Sequence, residues 1–149
     1  MIDKVPFCGE INNGVHRLIA RIYFADTDFS GVVYHGRYLE FLERGRTEFL
    51  RVSGIHHAEL ASGLSGEKLA WVVRKMQIEF LKPAHIDDIL FIDTQIEKIS
   101  GARILMKQTI QCGVKLLISA NVEAALINNE GRPRRFPTSF IKKWGNVSE

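Results

Sequence analysis

Apolar and polar positions change period twice along this chain. "HRLIARIYF", His16 to Phe24, alternates and is rich in branched and aromatic residues, which predicts a strand running into an acidic loop. From His35 to Val52 the period becomes helical: Tyr38, Leu42, Gly45, Phe49 and Val52 recur on one face, and Leu39, Phe41 and Leu50 widen it. On the other face Glu40/Arg44 and Arg44/Glu48 stand at i,i+4. "VSGIHHAELASGLSGEKL" is punctuated by glycine and serine and predicts one short helix around His57 to Ala61. Four strand-like runs follow, "LAWVVRKMQIEFL", "DILFIDTQIEKI", "ARILMKQTIQC" and "KLLISANVEAALIN", with turns in "KPAHIDD", "SG", "GV" and "NNEGRP".

Strand, long helix, short helix, then strand after strand is the order of an α+β protein, an antiparallel sheet with its helical layer on one face. Runs of ten or more strand residues suit a curved sheet wrapped around one long central helix. No repeat or linker divides residues 1–149, so a single domain is expected, and 149 residues suffice to bury roughly two-thirds of the unfolded surface.

With 46% hydrophobic and 25% charged residues the composition is that of a soluble globular protein. "MIDKVPFCGEINNG" lacks the pattern of a secretory signal and no apolar run approaches the ~20 residues of a spanning helix, so a cytoplasmic protein without a membrane span is expected. Cys8 and Cys112 are far apart and form no metal-ligand spacing, which points to reduced thiols. The net charge of +3 permits an anionic partner, but the basic residues are scattered apart from "RPRR" and "KK", and neither a basic face nor an RNP-like aromatic motif favours nucleic acid.

The chemistry concentrates in Asp26-Thr27-Asp28. Asp26, Asp28, Ser30 and Gly31 fall on positions 1, 3, 5 and 6 of an EF-hand loop, but position 12, which must supply a bidentate Glu, is Arg37. A magnesium-dependent aspartyl phosphatase would need alternating strands and helices, which the order of elements denies. A glycosidase carboxylate pair has nothing else in the loop to support it. Asp26 reads as a brace for the turn. Asp28 has two readings, a solvated turn residue or an acid facing the apolar "GVVYHG" and the unpaired N–H groups of a helix start, where it would sit beside an oxyanion site. Glu43 is a rival acid, otherwise paired with Arg46 or Arg44; His56 and His57 read as solvent-facing.

"YFADTDFSGVVYHGRYLEFLERGRTEFLR" and "WVVRKMQIEFLKPAHIDDIL" resemble the two signature blocks of hotdog-fold acyl-CoA thioesterases of the 4-hydroxybenzoyl-CoA thioesterase type, especially the bacterial branch associated with the Tol-Pal envelope complex, and the resemblance covers about residues 16–140. It implies a hotdog fold, a homodimer or homotetramer with the active site between subunits, hydrolysis of acyl-CoA, and no cofactor or metal. The family's catalytic aspartate matches Asp28, and its carbonyl-polarising backbone N–H matches His35. The nucleotide end of coenzyme A asks for basic residues, for which Arg103, Arg132, Arg134 and Arg135 are candidates. The aromatic-thioesterase branch carries a basic cluster where this chain has "KISGAR". Two rival functions remain: a non-catalytic acyl-carrier-binding or scaffold protein, and an acyl dehydratase using His with an acid.

Overall fold

The protein is described here by a computed structural model covering residues 6–63 and 66–144. The first five residues of "MIDKVPFCGEINNG", and Leu64 and Ser65 of the glycine-rich segment, lie outside the described residues. In chain order the elements are β1 (Glu10–Asn12), β2 (Val15–Arg21), α1 (His35–Val52), α2 (His57–Ser62), β3 (Leu69–Phe80), β4 (Ile89–Ser100), β5 (Arg103–Cys112), β6 (Lys115–Asn128) and α3 (Thr138–Lys143). The strands make one antiparallel sheet in the order β1-β2-β4-β5-β6-β3.

Three of its hairpins are closed by two-residue turns whose residues suit the strand twist. Asn13 and Gly14 both have positive φ (52° and 79°), as a type I′ turn requires, while Gly101 (63°) and Gly113 (58°) supply the positive φ at the first central position of the β4–β5 and β5–β6 turns. Register shifts at Val73/Lys75, Ile96/Lys98 and Ile110/Gln111 interrupt the ladders, and such irregularities bend a sheet.

The concave face holds α1. Tyr38, Phe41, Leu42, Phe49 and Leu50 are buried on it, each contributing roughly 1.5–3 kcal/mol. Leu39 and Val52, expected in the apolar sector, are 43% and 42% exposed: the sheet covers one face of the helix and leaves the other to solvent. The two expected i,i+4 ion pairs do not form. Arg37 pairs with Glu40 and Arg51 with Glu48, both at i,i+3, while Arg44 lies over the ring of Phe41.

At Gly45 helix and sheet approach as closely as a helix without a side chain allows. A Cβ there would stand 2.8 Å from Ile92 Cγ2, 3.1 Å from Thr94 Oγ1 and 3.2 Å from Gln108 Nε2. This contact divides the core. Toward the amino end of α1 lies one apolar cluster around Ile22, Val33, Tyr38 and Phe41, and toward its carboxyl end another around Phe49, Leu50, Met106 and Phe136. Between them Gln108, fully buried, donates to Leu42 O (2.9 Å) and Thr94 Oγ1 (2.8 Å) and accepts from Arg46 (3.0 Å), so its amide is satisfied on both sides.

Candidate active site

The acidic loop folds back on itself before α1 begins. Asp28 N–H donates to Val32 O, Gly31 N–H to Asp28 O, and Thr27 bridges Val33, so that the backbone at Asp28 is joined to the chain entering the helix. Val33 N–H donates to Ala84 O, and Ala84 N–H donates to the buried Tyr38 hydroxyl at 3.0 Å. The β3–β4 connection thereby fastens the loop to the second turn of α1. "IDD" belongs to that connection: Asp87 has φ 71°, and Ile22 exchanges backbone hydrogen bonds with Asp87 and Asp88.

The two aspartates have different surroundings. Asp26 accepts from Tyr23 N–H at 2.8 Å and faces Arg37 Nε at 3.2 Å, so it braces the turn. Arg37 also reaches Ala25 O and Glu40 Oε2, tying the loop to the first turn of α1. The residue that fails as a calcium ligand is thus the counter-ion of the first aspartate, a role its position in the motif signalled but sequence reasoning did not assign.

Asp28 is exposed in the isolated chain and does not face the apolar wall that the downstream "GVVYHG" suggested. Its Oδ1 accepts from the Ser30 hydroxyl and from Ser30 N–H at 2.8 Å. Those bonds, the hydroxyl first, hold its carboxyl below the ordinary range, so it is a carboxylate at neutral pH. The backbone N–H groups of Val32 and of Asp28 itself add to this effect, while the bonds to Ser30 fall on Oδ1 and leave Oδ2 the more open to a water or a carbonyl carbon.

Helix α1 opens at Tyr34 with no side-chain cap. The first N–H groups of a helix lack intrahelical acceptors, and the amino end carries about half a positive charge, so His35 and Gly36 present donors suited to a developing oxyanion. The exposed His35 ring packs on Phe80 at 4.6 Å between centroids.

The remaining candidates lie elsewhere. Arg134 makes a two-point ion pair with Glu67, itself held by Asn128, and Arg132 faces Glu130 at 3.7 Å. Arg103 and Arg135 are exposed. These four occupy the end of the sheet where Phe136 N–H meets Gly101 O, the opposite end of α1 from Asp28. Glu43 takes the Thr47 hydroxyl at 2.8 Å rather than an arginine, and His57, exposed, lies 3.3 Å from the same hydroxyl. Among the described residues no three His, Cys, Asp or Glu side chains group as a metal site, and no helix is long and apolar enough to cross a membrane.

Along most of its length the chain is similar to known proteins. Residues 22–144 match the model of the thioesterase-like superfamily. An acyl-CoA thioesterase of Haemophilus influenzae, YbgC, is 38% identical over 118 residues, 78% of this chain and 85% of that one. The crystal structure of a probable thioesterase from Bartonella henselae is 58% identical and superposes with a TM-score of 0.80 over 83% of this chain and 99% of that one. The 4-hydroxybenzoyl-CoA thioesterase of Pseudomonas sp. strain CBS-3, 20% identical, shares the hotdog fold with a TM-score of 0.79 over 87% of this chain and 98% of that one.

Proposed function

The chain belongs to the thioesterase-like superfamily and hydrolyses acyl-CoA thioesters, and we propose that Asp28 carries the chemistry while the open amino end of α1 at His35 polarises the thioester carbonyl. The observation that supports this division is the pairing of an ionised, partly unspent carboxylate with an uncapped helix start, joined by a turn that Arg37 and Tyr38 hold in place. The leaving group is a thiolate whose conjugate acid has a pKa near ~8.5, so it departs without a strong general acid. One carboxylate then suffices, as a base drawing a proton from water or as a nucleophile forming a mixed anhydride. Each well-placed N–H donor lowers the barrier by about 3 kcal/mol.

The edge of the sheet supports a paired assembly. β3 is an edge strand whose one partner is β6, and Val72, Val73 and Phe80 on it are exposed. Two copies pairing along β3 about a two-fold axis would set the Phe80 end of one, beside His35, against the Leu69 end of the other, beside Arg134. Arg103, Arg132, Arg134 and Arg135 of one subunit would then serve the coenzyme A phosphates at the loop of its partner. A dimer, or two dimers as a tetramer, in the cytoplasm alongside the Tol-Pal system is the setting this reading assigns, with acyl carrier protein as a further thioester donor.

A panel of acyl-CoAs with a thiol reagent tests the reading. Asp28→Asn is expected to lower kcat by about 10²–10⁴-fold with the fold intact by circular dichroism. A wild-type rate in that variant would remove Asp28 from the mechanism. Binding of acyl thioesters without hydrolysis would make the protein a scaffold, and hydration of enoyl-CoA without thiol release would make it a dehydratase.

A further inference from the structure

About two helical turns beyond His35, α1, α2 and β3 enclose a cavity of about 110 Å³ that Asp28 does not line. Glu43, Arg46, Thr47 and His57 form one side, and Leu50, Trp71, Val72 and Met106 contribute to the other. The volume is of the order of an apolar cavity that admits benzene, about 150 Å³, so it holds the end of a chain rather than a whole ligand.

Two lining residues bring donors to it, the half-buried Arg46 and Trp71, whose Nε1–H has no acceptor among the described residues. Arg46 is half-buried, and burial pulls down its affinity for its proton against the opposing field of Glu43. Its one hydrogen bond among the described residues goes to a neutral acceptor, Gln108 Oε1, and no described carboxylate comes within ion-pair distance. Trp71, stacked on Phe136, has a buried Nε1–H with no partner. Charges drawn out of water are ordinarily paired and buried N–H groups ordinarily bonded, so a cavity lined by an arginine without an ion-pair partner and by an orphaned indole N–H suits an acceptor. A carboxylate offers about four lone-pair sites and no donor, and matches the planar guanidinium fork. A hydroxyl would satisfy only part of this surplus, and an ammonium group would be repelled.

We propose that this cavity receives the distal carboxylate of a dicarboxylic acyl group, so that monothioesters of dicarboxylic acids are the preferred substrates. The inference rests on the thioester hydrolase reading. Glu43 lines the same cavity and opposes a second carboxylate, but it is exposed, screened by solvent and bonded to Thr47.

The test compares kcat/KM for chain-matched pairs: succinyl- with butyryl-CoA, adipyl- with hexanoyl-CoA, and dodecanedioyl- with dodecanoyl-CoA. At one or more lengths the carboxylated member is expected to lead by about tenfold or more. Arg46→Gln brings that ratio toward one, Arg46→Lys keeps part of it, and Glu43→Gln increases it. Because each ratio is internal to one variant, partial unfolding lowers both rates and leaves it unchanged. A preference for the methyl-ended member at every length, or a ratio that Arg46→Gln does not move, overturns the inference while leaving the hydrolase reading intact. Failure to hydrolyse either series overturns both.

Discussion

Ser30 holds Asp28 in its charged form. Its hydroxyl and N–H bond the charged form, which lowers the carboxyl pKa. Ser30→Ala removes the larger of those two contributions and keeps the N–H, so the pKa rises toward the ordinary carboxylate value. In the proposed mechanism the ionised form is the reactive one, so the acidic limb of the kcat/KM profile is expected to move to higher pH in Ser30→Ala, with little change above neutrality. His16 responds to pH in the opposite setting. It is fully buried against Phe49, with Nε2 2.9 Å from Cys8 O, and Glu48 and Asp93 are the acids that face it. Burial outweighs those acids and depresses its pKa below 6.5. A depressed histidine pKa means that the unfolded chain takes the proton first, so stability is full above 6.5 and falls as pH drops below it. Urea midpoints should fall over this interval in the wild type, and less so in His16→Gln.

At the scale of elements, α1 depends on one glycine. Gly45→Ala gains about 1 kcal/mol of helix propensity but drives a methyl group against Ile92, buried in its strand and unable to withdraw. Overpacking of this kind costs about 1–3 kcal/mol, so a net loss of stability is expected, read as a lower thermal midpoint. The bounds of α1 and of the four long strands were legible in the sequence because period and turn residues agreed: His35 to Val52 is helical as expected, and "KLLISANVEAALIN" is β6 from end to end. β1 was missed because three residues carry no period, although Asn13-Gly14 marked its hairpin. α3 is too short to show one. The ion pairs were misassigned because Arg37 and Arg51 reach acids three residues away as easily as four, and local spacing does not reveal that Arg44 covers Phe41. Asp28 stood out through its motif, whereas its exposure was not legible: the apolar residues after it fold beneath α1 or onto the surface, and in the proposed dimer a second chain would decide what covers the carboxylate.

At the scale of the whole molecule, the proposed dimer is completed along β3, an edge of the sheet. Val73→Asp on that free edge is expected to convert the assembly to monomer by light scattering and to lower hydrolysis with it, whereas the same change would leave a protein active as a monomer unaffected. The order β1-β2-β4-β5-β6-β3 also dictates a schedule. β3 ends at Phe80, and its sole partner β6 begins at Lys115, after two further strands. A ribosome adding roughly 5–20 residues each second therefore exposes "LAWVVRKMQIEF" for seconds before anything exists to pair with it. During synthesis the most apolar edge of the protein is its most vulnerable segment, and Arg74 and Lys75 at its midpoint give that waiting strand the charge that discourages neighbouring nascent chains from pairing in place of β6.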